Sequence, residues 1–367
     1  MFPDYNNSIL NVTSTILKHY QAFSMYSSIP ILEESLNKKF DHVVYMLLDG
    51  MGINIINEHL EPNDFLRKNI QQVITSIYPP TTVAATNTVL SGLPPISTGY
   101  LGWVQYFKQE DTNCAVFMNT DFYDSSKTFN YLLRDKYLSY KTIYEKIKVA
   151  SPDVKTYELF PSFRVDGYES FELQINELKA ITNRDEKNFT YVYWTDPDMT
   201  EHDYGVHSVE TKQVLKSLNQ HVTEFAKNIN EETLLIIIAD HGLIDVNGIN
   251  LFEDEKLLGY LTRKPSIEPR TTNFFVKSAY KNHFKNEFDK KYGKHFRLLT
   301  RLEFLESNLL GYGKKHPMLL DFLGDYIAIA IDSFMFNMNG ESSFKAHHAG
   351  LTKEEMEVPL IIYHKTK

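Results

Sequence analysis

Residues 233–242 read TLLIIIADHG. Leu234 to Ala239 are apolar or small without a break, and the run ends on Asp240-His241. A short continuous apolar run suits a parallel strand buried on both faces, because a sheet covered by helices on both sides loses the in/out alternation. Ligands of open parallel sheets gather outside the carboxyl ends of the strands. An adjacent carboxylate and imidazole at that edge are therefore a candidate pair of metal ligands, and the remaining ligands have to come from elsewhere in the chain.

Other strands end in the same way. His42–Leu48 (HVVYMLL) stops at Asp49, and Gly50 and Gly52 permit a tight turn before a helix over Ile53–Leu60. Phe189–Trp194 stops at Asp196-Pro197-Asp198, with His202 four residues past Asp198, a spacing that sets both on one helical face. Pro79-Pro80 forces an extended entry to a helix opening at Thr81 or Thr82. A hydroxyl there lies among backbone N–H groups that lack intrahelical acceptors and favour an anion. The loop from Gly92 leads into an aromatic group, Tyr100, Trp103, Tyr106 and Phe107, in which Tyr100 and Trp103 are candidate substrate contacts.

Between these landmarks strands alternate with helices. Two short helices are expected within 1–40, strands at Cys114–Met118 and Val154–Leu159, and helices at Leu138–Val149, Phe171–Ile181 and 208–229. This βαβ alternation predicts an α/β fold with a mostly parallel central sheet flanked by helices. After Asp245 the pattern changes. Residues 250–320 are richer in Lys, Arg, Phe and Tyr and read as an inserted, smaller α+β cap between two parts of a catalytic core, 1–249 and 321–367. Tyr326–Ile331 is expected to return to the core, and Val358–Tyr363 to close it.

Composition narrows the function. With 367 residues, 43% of them hydrophobic, the chain can bury a large core. A net charge of −9 argues against a nucleic-acid polymer as partner, because such binding is driven by cationic contacts to phosphates. Small phosphorylated substrates stay open, since bound divalent ions reverse the local charge. The single cysteine, Cys114, allows no intramolecular disulfide and fits a reducing compartment. No signal-peptide pattern opens the sequence and no stretch is long enough to span a membrane, so a cytoplasmic protein without a membrane partner is expected.

Taken singly, each donor has an ordinary explanation. An Asp after a strand is most often a turn former, and Asp198 with His202 on its own suits a solvated helix surface. Six hard or borderline donors at one sheet edge are harder to dismiss: Asp49, Asp198, His202, Asp240, His241 and, after the expected cap, His348.

The order of these residues, in LLDGMG, PPTTVAATNTVLSG, DPDMTEHDYG, ADHG and HAGLTKEEMEVPLII, resembles that of the alkaline-phosphatase superfamily. The branch it is most similar to is the nucleotide pyrophosphatase/phosphodiesterase group, over residues 41–363. That resemblance implies two divalent metal ions, usually zinc, with manganese able to use the same ligands. One ion would take Asp198, His202 and His348; the other Asp49, Asp240 and His241, with the Thr82 oxygen as a further ligand. Thr82 would be the nucleophile and form a covalent phosphothreonine on a small phosphodiester or pyrophosphate, nucleotides included. Thr81 would cap the helix and His347 would be structural. Three ionised aspartates and one alkoxide would balance the charge of two divalent ions, letting a phosphodiester monoanion approach.

The sequence departs from the pattern twice. Trp103 stands where characterised nucleotide phosphodiesterases carry an Asn that holds a phosphate oxygen, and Ala349 replaces a common Gly. Two alternatives follow. A phosphomonoesterase of the same fold would need an extra cation, for which Arg134, Arg164 and Arg270 are available. A catalytically silent metal-binding scaffold would have no reason to keep Thr82 among intact ligands.

Overall fold

The computed structural model describes residues 1–340 and 343–365. Its centre is a six-stranded sheet in the order Ile70–Thr75, Glu357–His364, Thr233–Ile238, His42–Leu48, Asn188–Trp194, Lys155–Leu159. Five strands run parallel and Glu357–His364 runs against both its neighbours. Every residue of His42–Leu48 and Thr233–Ile238 is buried, as their unbroken apolar runs require. Register does the rest: Leu47 lies opposite Ile238 and Leu48 opposite Trp194, so Asp49, Asp240 and the Asp196–Asp198 turn leave the sheet at one level.

Two helical layers cover the strands. Ile9–His19, Thr82–Ser91 and Ile143–Ala150 pack on one another, and Ile53–His59, Phe171–Ile181 and Val209–Asn228 form a second group. The longest, Val209–Asn228, starts where the Ser208 hydroxyl accepts from the Thr211 N–H. It buries Leu215, Leu218, Val222 and Phe225, spaced three and four apart. Among the described residues no helix is long and apolar enough to cross a membrane.

A second, antiparallel sheet of seven strands lies beside the first, ordered Phe296–Thr300, Tyr326–Ala330, Thr271–Phe274, Ser266–Ile267, Val104–Phe107, Thr112–Ala115, Thr120–Asp121. The expected insertion supplies its strands between 266 and 300, and segments on either side of it supply the rest. Tyr326–Ala330, expected to rejoin the core, is instead a member of this second sheet, paired with Phe296–Thr300 and Thr271–Phe274. An apolar run says that a strand is buried, not in which sheet.

Two boundaries differ from expectation. The strand placed at Cys114–Met118 is Thr112–Ala115, a hairpin partner of Val104–Phe107. The helix placed at Leu138–Val149 begins only at Ile143, because Thr142 and Glu145 form a reciprocal capping box there; a short helix, Leu133–Tyr137, precedes it.

Candidate metal centre

Each expected donor reaches the sheet edge by a different device. Asp49 follows its strand directly, and Gly50, at φ +75°, lets the chain turn where a Cβ would fall 2.7 Å from Asp198 Cα. Asp198 and His202 lie on the short helix Asp198–Tyr204. The strand pair Ala346–His347 with Ile244–Asp245 brings His348 back beside the segment that follows Asp240-His241. Ala349 sits at φ +84°, a conformation that suits glycine, which is the physical content of its departure from the family pattern.

The six donors form two groups, Asp198/His202/His348 and Asp49/Asp240/His241, each with ligand atoms within 4.8 Å of one another. In the first, His202 Nε2 is 3.4 Å and His348 Nε2 3.8 Å from Asp198 Oδ1. In the second, His241 Nε2 is 3.4 Å from both Asp49 Oδ1 and Asp240 Oδ2. The groups are neighbours, with the His241 and His348 rings 4.0 Å apart between centroids. Thr82, first residue of the helix Thr82–Ser91, puts Oγ1 3.4 Å from Asp49 Oδ1 and 3.2 Å from His241 Nε2.

Surrounding contacts fix the imidazoles with Nε2 toward the centre. His202 Nδ1 lies 2.8 Å from Ala346 O, His348 Nδ1 3.1 Å from Pro80 O, and His241 Nδ1 3.3 Å from Gly242 O. A ring nitrogen held by a carbonyl sets the tautomer and frees the other nitrogen as a ligand. The Gly50 N–H donates to Asp240 Oδ1 at 3.1 Å, and the Tyr193 hydroxyl donates to Asp49 Oδ2.

Electrostatics suits a cation. Burial, then the charges of Asp240 and Asp198, push the Asp49 carboxyl well above the usual range, and burial raises Asp240 as well. Burial and the neighbouring His241 hold His348 well below the usual histidine value, so it stays a neutral donor. Among the described residues, Asp198 Oδ1 and Asp240 Oδ2 are buried and find no hydrogen-bond partner, their imidazole neighbours at 3.4 Å being contacts rather than hydrogen bonds. Mutually repelling carboxylates, orphaned oxygens and neutral imidazoles are the donor set of divalent metal sites.

The sequence-based family model for type I phosphodiesterase / nucleotide pyrophosphatase matches residues 43–348, a span that holds Thr82 and all six donors. The chain belongs to that family. It is accordingly a phosphodiester hydrolase of a metal-dependent family. Solved members share its fold. Murine ectonucleotide pyrophosphatase/phosphodiesterase 5, in an inactive form in complex with AMP, superposes with a TM-score of 0.65 at 16% identity, over 89% of this chain and 88% of that one. The human counterpart gives 0.66 at 14% identity, over 88% and 87%.

Within this family member, several expected contacts fall elsewhere. Tyr100 is buried in a second hydrophobic cluster with its ring 6.0 Å from that of Tyr140, and Tyr106 and Phe107 are buried too. The expected aromatic patch therefore reduces to Trp103, 37% exposed and edge-on to Phe117. Thr81 occupies the N-cap position, but its hydroxyl makes no cap bond and donates to Glu268 Oε1 at 2.6 Å. His347 accepts from the His348 N–H at 2.9 Å. Arg270 is wholly buried on Glu355, at 2.6 and 2.9 Å, and on the carbonyls of Asp332 and Phe334. Sequence reading missed Tyr193 and Glu268. Tyr193 sits inside a strand run and carried no signal in the sequence; only its register opposite Leu47, seen in the structure, brings it beside Asp49.

Proposed function

We propose that the protein is a two-zinc nucleotide phosphodiesterase working through a covalent phosphothreonine on Thr82. The observation that carries this reading is the placement of Thr82 Oγ1 between Asp49 Oδ1 and His241 Nε2, at the mouth of a helix whose first amides lack intrahelical acceptors. Asp49, Asp240, His241 and the Thr82 oxygen would hold one ion, and Asp198, His202 and His348 the other. Bound divalent ions supply the Lewis acidity that a threonine hydroxyl, far too weak an acid by itself, needs at neutral pH.

The residues then have definite tasks. The Thr82 hydroxyl loses its proton as the Oγ1–P bond forms, and the bond from phosphorus to the leaving oxygen breaks on the opposite side. That oxygen takes up a proton. A water oxygen then bonds to phosphorus as the Oγ1–P bond breaks; one of its protons returns to Thr82 Oγ1 and the hydroxyl leaves on the released phosphate. First-turn amides face the developing charge on the phosphoryl oxygens. Trp103, the open member of the aromatic group, is our candidate for stacking on a nucleobase, and the AMP bound by the murine relative supports a nucleotide. Residues 250–320, which share the second sheet with Val104–Phe107, are our candidate for selecting the substrate. The lone buried Cys114 supports a reducing compartment such as the cytoplasm.

Arg270, one source of the extra cation that a dianionic monoester calls for, is already committed to Glu355, which favours the diester. The test compares bis-p-nitrophenyl phosphate, a nucleotide 5′-p-nitrophenyl ester and p-nitrophenyl phosphate on zinc-loaded protein, with and without chelator. Chelator-sensitive preference for the diesters is expected, with a gain for the nucleotide ester. Preference for the monoester would overturn the reading.

A further inference from the structure

The turn between the strands Ser266–Ile267 and Thr271–Phe274 carries two features that folding alone disfavours. Ile267 lies at φ +78°, a left-handed conformation rare for a β-branched side chain, and such strain concentrates at functional positions. Beside it Glu268 is buried, 2% exposed, and the charge acting on it is Asp198, of like sign. A buried carboxylate without a cation is costly unless hydrogen bonds hold it. Both donors converge on one oxygen: Thr81 Oγ1 at 2.6 Å and the Trp103 N–H at 2.7 Å. The Trp103 loop is pressed onto this turn, since a Cβ on Gly102 would fall 2.9 Å from Ile267 O and 3.0 Å from Glu268 Cγ.

From these contacts we infer that Glu268 is a positioning residue for the nucleophile, holding Thr81 and the Trp103 loop so that the helix opening at Thr82 enters at one fixed angle. The inference rests on the reading of Thr82 as nucleophile. Thr81 is the last residue before that helix, and the anchor of its hydroxyl lies on the second sheet rather than within the helix. The same turn reaches the other side of the centre. The Thr271 hydroxyl donates to Ala349 O at 2.5 Å, and Arg270 grips Glu355, whose Oε1 accepts from the Gly350 N–H. The second sheet thus fixes both the start of the nucleophile's helix and the loop bearing His348. Freeing Thr81 lets the first helical turn rotate, and a misplacement of about 1 Å at a reacting atom costs roughly a hundredfold in rate.

The experiment measures kcat, KM and bound metal on metal-loaded protein with bis-p-nitrophenyl phosphate for Thr81→Val, Glu268→Gln, Glu268→Ala, the Thr81→Val/Glu268→Ala double variant and Thr82→Ala. Thr81→Val is expected to lower kcat about tenfold, and Glu268→Ala about a hundredfold, with metal content and KM nearly unchanged. Glu268→Gln keeps an acceptor oxygen for both donors and should restore kcat to within about threefold of wild type. The double variant should be no slower than Glu268→Ala, because the Thr81 change then removes a contact that Glu268→Ala has already broken. Full kcat in Thr81→Val or Glu268→Ala, or additive losses in the double variant, would overturn the inference. If Glu268→Ala does not fold, Thr81→Val and Glu268→Gln decide it alone. Turnover by Thr82→Ala would instead overturn the nucleophile reading, whatever the Glu268 variants do.

Discussion

Thr82, His348 and Glu268 each carry a prediction that a single side chain can settle. On the proposed reading, replacing Thr82 with Ala removes the attacking oxygen but none of the six candidate donors. Turnover should fall by about a thousandfold or more while metal content and thermal midpoint stay close to wild type. His348→Ala takes one ligand from the Asp198/His202 group, so metal analysis should find that site depleted more than the Asp49/Asp240/His241 site; equal loss would undo the partition. Glu268 bears on pH. Burial pushes its carboxyl up to about 7 from an ordinary 4.5, so in that interval the folded chain holds a proton that the unfolded chain has released. Stability from this group is complete below pH 4.5 and drains away as pH rises toward 7, by up to about 3 kcal/mol. Urea unfolding of chelator-treated Glu268→Gln and wild type should therefore diverge in the variant's favour between pH 5 and 8, and parallel curves would contradict this cause. Asp49, Asp198, Asp240 and His241 were legible in the sequence because they end or closely follow strand runs, His202 through its spacing from Asp198, and His348 through the family resemblance. Glu268 was not, because its meaning lies in a contact with Thr81 across 187 positions of chain.

At the level of elements, legibility tracked how local the determining force is. His42–Leu48 and Phe171–Ile181 match expectation residue for residue, since apolar periodicity alone defines them. Tyr326–Ala330 went to the other sheet because strand partners are chosen by tertiary packing, and the aromatic group around Tyr100 went into a core for the same reason. The helix start at Ile143 was available in the sequence as Thr142 with Glu145 three residues on, a capping box that went unread. The turns at the sheet edge yield a prediction of their own. A Cβ on Gly242 would fall 2.2 Å from Glu354 O and 3.0 Å from Gly52 Cα, both backbone atoms unable to give way cheaply. Gly242→Ala should cost about 1–3 kcal/mol in denaturant unfolding and, by displacing His241, lower metal content at the second group first. A variant with native stability and full metal content would show that the two loops separate more easily than their packing implies.

For the molecule as a whole, the candidate metal centre is expected to couple to stability. Asp49, Asp198 and Asp240 repel one another in a buried setting, and a ligand that binds only the folded state adds stability by mass action. Chelation should lower the thermal midpoint reversibly, zinc should restore it, and a midpoint indifferent to chelator would mean that the donors are not filled. The sheet's strand order has a further consequence, for synthesis. Glu357–His364 separates Ile70–Thr75 from Thr233–Ile238, so the strand at 70–75 has no partner in the sheet until residues 357–361 have been made. A nascent chain emerging from the ribosome therefore carries the strand at 70–75 without its sheet partner. After residue 238 the open edge of Thr233–Ile238 joins it while the rest of the second sheet, from Ser266 to Ala330, is made, a template for misassociation. A chain stopped before residue 357 lacks the strand that joins two others, so truncation there is expected to give a misassembling product rather than an enzyme of reduced activity.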